Sequence, residues 1–225
     1  MLNRVICCDC MDFMKDLPDK HYDLAIVDPP YGIGDFNMQT SIGNKRGTRK
    51  HGHVMWNDNI PNDNYFCEIY RISKKNIIWG ANYYNCFSGG AIIWHKQIGH
   101  PNMSKCEIAS VSFQKKVDFV SIPWASGFYR EIAEDKTIHP CQKPIALYKW
   151  LLQNYAKPGQ TIFDSHVGSG SLRIACHDLG FDFEGCEIDE DYWEAQEARY
   201  QNHIKQAELF EPQEVQELVY KQGEL

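Results

Sequence analysis

Short strand-like runs alternate with helical patterns along most of the chain, and this alternation constrains the fold more than any other feature. The runs lie at 4–8, 24–27, 76–79, 91–94, 108–113, 161–163 and 183–186. A helical pattern opens at Pro144, carries Leu147, Leu151 and Leu152 at helical spacing, and stops at Lys157-Pro158-Gly159. A second spans 169–179 and is halted by Gly180; a third spans 192–207. Strands separated by helices imply a largely parallel sheet covered on both faces. A length of 225 residues suits one α/β domain with a full core.

Two stretches resist this pattern. Residues 32–60, rich in Gly, Asn, charge and His, read as a long flexible loop. Residues 114–138 hold Phe119, Trp124, Phe128, Tyr129 and Arg130 among mixed charges and read as an irregular insertion. The expected organisation is one domain over 1–207 and an acidic tail over 208–225. The net charge of −7 argues against a phosphate-rich partner, but its distribution matters more. Five Glu and one Lys fall in the tail, whereas 44–53 holds Lys45, Arg46, Arg49 and Lys50 with no acid.

No apolar run approaches the roughly 18 residues of a membrane span, so no membrane partner is expected. The first residues lack the apolar core of a secretory signal, and nine scattered cysteines read as reduced thiols. Both point to a cytoplasmic protein. Cys7 and Cys10 form a lone C-x-x-C without a second pair at zinc spacing; no metal is expected.

The sharpest chemical signal is Asp28-Pro29-Pro30-Tyr31, directly after the run 24–27. Two prolines fix φ and remove two backbone donors. A carboxylate, a free carbonyl and an aromatic ring then gather at the carboxyl end of a strand, where open α/β sheets bind ligands. The set supplies two acceptors for an exocyclic NH2 and a ring to stack on its base. An ordinary strand exit with a Pro-Pro turn is the competing reading of these four residues.

A second constellation follows the run 161–163. Asp164-Ser165-His166-Val167-Gly168-Ser169-Gly170-Ser171 joins a strand to a helix, and Gly168 and Gly170 permit a tight turn and close approach to a ligand. The third Gly of a dinucleotide fingerprint is missing, since position 173 is Arg. Glu187, beside Ile188, stands about 20 residues beyond the glycines, an offset that suits two ribose hydroxyls; for Glu187 and Asp189 a solvated helix start is the alternative. A nucleoside with a zwitterionic tail fits better than a pyrophosphate, and S-adenosylmethionine is such a molecule. Asp164 can take its amino group, and the amides near Ser169 its carboxylate.

Together these motifs resemble those of the DNA amino-methyltransferases that modify adenine N6 or cytosine N4, over most of residues 3–200. Ile6-Cys7-Cys8-Asp9, with Leu17-Pro18-Asp19 and Asp23-Leu24, resembles the lead-in to the family's catalytic loop. Asp28 to Tyr31 matches the catalytic motif, His139-Pro140-Cys141-Gln142-Lys143-Pro144 resembles the His-Pro-Thr-Gln-Lys-Pro element, and Asp164 to Ser171 resembles the cofactor loop. The catalytic motif precedes the cofactor loop, the beta-class order. The resemblance implies a seven-stranded, mostly parallel sheet with one antiparallel strand. It places Asp9, with Cys10 as backbone neighbour, at the cofactor adenine, and Lys143 at the cofactor's methionine end. His166 stands where the family often has Phe, and Cys141 where it has Thr.

The mechanism implied is direct displacement on a flipped base, without metal or covalent intermediate. Asp28 and the Pro29 carbonyl hold both amino hydrogens, and Tyr31 stacks on the extruded ring. Asp28, where cytosine enzymes often carry Ser, tilts the reading to adenine N6; cytosine N4 is the alternative. A protein or RNA amide methyltransferase would more naturally carry Asn in place of Asp28, so it is set aside. A non-catalytic DNA-binding subunit of the same fold is the alternative of a different class. Double-stranded DNA is the expected partner, gripped by Lys45, Arg46, Arg49 and Lys50 and read by Trp124, Tyr129 and Arg130. Beta-class relatives often dimerise, so a homodimer is compatible.

Overall fold

A computed structural model describes residues 2–33, 59–98, 104–124, 138–139 and 141–209. Lys45, Arg46, Arg49, Lys50, Tyr129, Arg130 and the tail from 210 lie outside the described residues. In chain order the elements are β1 (Asn3–Cys7), α1 (Cys10–Met14), β2 (Tyr22–Val27), α2 (Asp63–Ile72), β3 (Ser73–Trp79), α3 (Ala81–Tyr84) and β4 (Gly90–His95). They continue with β5 (Cys106–Val111), β6 (Val117–Ser121), α4 (Ile145–Tyr155), β7 (Thr161–Asp164), α5 (Ser171–Leu179), β8 (Asp182–Glu187) and α6 (Glu190–Leu209).

The strands form a single sheet in the order β1-β8-β7-β2-β3-β5-β4-β6. β5 runs antiparallel to both neighbours; the other pairings are parallel. The sheet is thus mostly parallel with one reversed strand, as expected, but has eight strands among the described residues rather than seven. The eighth is β6, inside the segment expected to be irregular. Its sequence hid it, because an edge strand buries little: Val117 and Phe119 are exposed and Val120 is buried.

Helices cover both faces because the central strands alternate their side chains. Leu24 and Ile26 of β2, with Ile77 and Trp79 of β3, join α4 and α5 through Leu147, Leu151, Leu172 and Ala175. Ala25, Val27 and Ile78 face the other way, toward Met14 of α1 and Tyr65, Ile69 and Ile72 of α2. Helix α2 buries one stripe through these last three residues, at i, i+4 and i+7, and Asn62 caps it by accepting from the Tyr65 amide at 3.2 Å. Its Arg71 donates to the carbonyls of Met14 (2.7 Å) and Leu17 (2.6 Å), closing the end of α1. The helix expected over 169–179 begins at Ser171, because Gly168 and Gly170 adopt left-handed backbone, with φ of 52° and 74°. Pro144 precedes α4 as its cap rather than serving as its first helical residue. Among the described residues, no helix is long and apolar enough to cross a membrane, and no cluster of His, Cys, Asp or Glu could hold a metal ion.

Candidate active site

β2 and β7 are parallel neighbours from which the chain departs in opposite directions, toward β3 on one side and toward β8 and β1 on the other. The crevice beyond their carboxyl ends is a topological switch point, where such sheets bind ligands. Asp28 directly follows β2, Asp164 ends β7 and Glu187 ends β8. Cys7 at the end of β1 pairs with Glu187, so Asp9 lies at the same edge. The four acids singled out from the sequence therefore share one edge of the sheet.

On the β7–β8 side the backbone shapes the cleft. Gly168 donates its amide to Glu187 Oε2 at 2.8 Å, and Asp189 donates to Oε1 at 3.0 Å. Asp164 Oδ1 accepts from the His166 amide at 3.0 Å. Burial pushes the Asp164 carboxyl up to about 8, against the His166 amide and with the Asp28 and Glu187 carboxylates adding to the push. Burial also raises Glu187, against the amides it accepts. Ser169 and Ser171 turn inward: Arg199 donates to the Ser169 carbonyl at 2.6 Å and to Ser171 Oγ at 3.0 Å. His166 bonds Ser165 Oγ at 2.9 Å, and burial lowers its imidazole to about 4, so it stands neutral. Exposed Asp9 caps α1 by accepting from the Met11 amide at 2.8 Å, and Cys10 opens that helix. Ile188 is exposed next to Glu187.

On the β2 side, the Asp28 carboxylate and the proline carbonyls of the Asp-Pro-Pro-Tyr turn already lie against internal donors. Tyr31 donates its hydroxyl to Asp28 Oδ1 at 2.6 Å, and Lys143 donates to Oδ2. The Tyr84 hydroxyl lies 2.5 Å from the Pro29 carbonyl and 2.8 Å from that of Pro30. Each of these oxygens has a second lone pair, so each can accept once more. The Tyr31 ring stacks on Tyr83, with centroids 4.8 Å apart and 16° between planes. Gly80 also lies against it, where a Cβ would collide with the ring. A pocket of about 180 Å3 opens beside Tyr31, Tyr83 and Glu107.

Lys143, expected at the cofactor's methionine end, lies on the Asp28 side of the crevice. It is buried against Asp28, and also lies 3.1 Å from Glu107 Oε2 and 3.2 Å from the Tyr31 hydroxyl. The turn carrying it is fixed by Trp124, whose indole donates to the Gln142 carbonyl at 2.9 Å. Trp124, expected to read bases, is thus half-buried and packed on the core, with Lys96 over its ring. Sequence reasoning missed Glu107, Lys96, Tyr83 and Tyr84. The one available signal was an acid just ahead of the apolar run 108–113.

Comparison with known proteins agrees with this architecture. The profile of the N6_N4_Mtase family, described as DNA methylase, matches residues 45–198, a range that begins after the Asp28–Tyr31 turn. The type II methyltransferase M.HpaI of Haemophilus parainfluenzae is 23% identical over 88% of this chain and 74% of its own length. M.BglII of Bacillus subtilis is 25% identical over 85% and 67%. Among solved structures, the complex of M1.HpyAVI with S-adenosylmethionine superposes with a TM-score of 0.57 at 20% identity, covering 88% of this chain and all (100%) of the other. The cytosine-N4-specific PvuII DNA methyltransferase gives 0.56 at 11% identity, covering 91% of each chain. With the family profile spanning most of an α/β sheet whose acids line one crevice, the chain belongs to the N6/N4 DNA amino-methyltransferases, which take their methyl group from S-adenosylmethionine.

Proposed function

We propose that the chain is a site-specific DNA adenine-N6 methyltransferase with Asp28 and the Pro29 carbonyl as the acceptors of the target amine. The observation that carries this reading is the placement of Asp28 at the end of β2, next to Asp164 at the end of β7, in the switch-point crevice. The donor set there fits S-adenosylmethionine. Asp164 is a buried acid suited to an ammonium, Glu187 to a diol, and Gly168 has no side chain to block close approach. Asp9, Cys10 and Ile188 border the adenine, and His166, Ser169, Gly170 and Ser171 shape the pocket around the methionine end. When bound, S-adenosylmethionine supplies a methyl group on a sulfonium.

The chain's own work is to orient the nucleophile. An amine conjugated with adenine is a poor nucleophile, and two acceptors on its hydrogens favour a pyramidal nitrogen. Positioning of this kind contributes much of the rate gain in displacement chemistry. For the amine to lie against Asp28 and Pro29, the hydroxyls of Tyr31 and Tyr84 share or yield their acceptors. Tyr31 then offers its ring to the flipped base, and the adjoining pocket gives the base room. Double-stranded DNA is the substrate, with Lys45, Arg46, Arg49 and Lys50 on its phosphates and Tyr129 and Arg130 near the bases.

Cytosine N4 is the second reading, favoured by the structural likeness to the cytosine-N4-specific PvuII enzyme. One experiment separates them: incubation with labelled S-adenosylmethionine and mixed-sequence duplex, then nucleoside analysis. N6-methyldeoxyadenosine is the expected product; N4-methyldeoxycytidine would replace the first reading with the second. Asp28→Ala should lower methyl transfer by about 10²–10³, the cost of losing a preorganised polar contact at a reacting centre, and retain cofactor binding. Turnover near the native rate would remove Asp28 from the active centre.

A further inference from the structure

Behind Asp28 stands a row of charges with alternating sign. Lys143 pairs with Asp28 on one side and with Glu107 on the other. Glu107 pairs in turn with Lys96 through its second oxygen. Lys143 and Lys96 are 4% and 9% exposed, so water screens these charges little. Burial pushes the Glu107 carboxyl up, yet the two ammoniums outweigh it and hold it well below the usual range. The four side chains come from four places: the end of β2, the turn before α4, the start of β5 and the residue after β4. Their charges sum to zero.

Such a row is a weak device for stability, because buried ion pairs can often be replaced by apolar groups at no loss. Its position suggests another use. The exocyclic nitrogen gains positive charge as it accepts a methyl group. Asp28 favours that charge, but the ammonium bonded to Asp28 opposes it. Glu107 pairs with the same ammonium and offsets it, and lies 3.2 Å from the Tyr31 hydroxyl, while Lys96 keeps Glu107 itself balanced. Preorganised charge of this kind acts strongly where water is excluded.

We propose that Glu107 is a positioning residue for methyl transfer, acting through Lys143 to keep Asp28 effective as the acceptor of the target amine. This rests on the reading that Asp28 holds that amine. Glu107→Gln tests it, because the amide keeps the shape and one acceptor and removes only the charge. The expected result is a kcat lower by about 10- to 100-fold, with the Kd for S-adenosylmethionine unchanged. K96Q/E107Q removes one charge of each sign and should recover most of the loss, whereas a packing role would leave the double variant at least as impaired. A near-native kcat in E107Q, or a double variant no better than E107Q, overturns the proposal. If E107Q does not fold, the double variant decides. A kcat within about tenfold of native supports the proposal, and an unfolded or slower double overturns it. Asp28→Ala runs alongside. An active Asp28→Ala sinks the underlying reading, while an inactive one beside a fully active E107Q sinks only the role of Glu107.

Discussion

At the scale of single residues, Asp164 joins burial to ligand chemistry most directly. Its carboxyl is pushed up to about 8, against an ordinary value near 4. An acid with a raised folded-state pKa disfavours the folded state as pH rises from its unfolded pKa toward its folded one. Without cofactor, the protein should therefore lose stability from this group between about pH 4 and 8. Asp164→Asn should remove that slope and melt higher than the native protein at pH 8, while binding S-adenosylmethionine more weakly. An ammonium in the cleft requires the ionised acid, so binding at pH 7 should release close to one proton. Calorimetry in buffers of different ionisation enthalpy checks this; equal proton release in native protein and Asp164→Asn would contradict it. Asp9, Asp28, Asp164 and Glu187 were legible in the sequence because each follows or closes a short apolar run, and strand ends mark ligand chemistry in this architecture. Glu107 was not, because nothing local says which way a strand runs, and only the direction of β5 brings it to the crevice; Lys96 directly follows β4, but a single cation there carries no motif.

At the scale of elements, the corner between β3 and α3 sets the Tyr31 ring. Gly80 has φ of 77° and lies against that ring, so a side chain there is both strained and obstructed. Gly80→Ala should cost roughly 1–3 kcal/mol from overpacking, plus about 1–2 kcal/mol for left-handed backbone. Urea unfolding measures the sum; a loss under about 0.5 kcal/mol would mean that the ring moves freely. Displacing the ring also removes its hydroxyl from Asp28. The seven sequence runs each became a strand, because buried central strands write a plain apolar signature. Helix α2 escaped notice: its apolar stripe is three residues wide and follows a long loop-like stretch. Strand β6 escaped because Lys116, Asp118 and exposed Phe119 read as surface, which an edge strand largely is.

For the whole molecule, the sequence's charge asymmetry gives a test of DNA binding that needs no target site. Phosphate contacts hold a protein on any duplex, whereas base-edge contacts choose among sequences. Replacing Lys45, Arg46, Arg49 and Lys50 with Gln should weaken binding to all duplexes alike. The slope of log affinity against log salt should fall by roughly 0.9 for each phosphate no longer neutralised. An unchanged slope would move the phosphate grip elsewhere. The reversed strand carries a consequence of its own. In a parallel sheet, one edge gathers the residues with which strands finish, and β5 delivers instead a residue with which a strand begins. Glu107 reaches the crevice on backbone held by β4, opposite Trp94, with Cys106 and Ile108 facing the other way. Lengthening or shortening the β4–β5 connection leaves that placement intact so long as the pairing holds. A slip of a single residue along β4 would exchange the carboxylate for a thiol or an isoleucine side chain. Such a protein would keep its layers and its cofactor cleft, and the fault would lie in chemistry alone, written in the register of one strand.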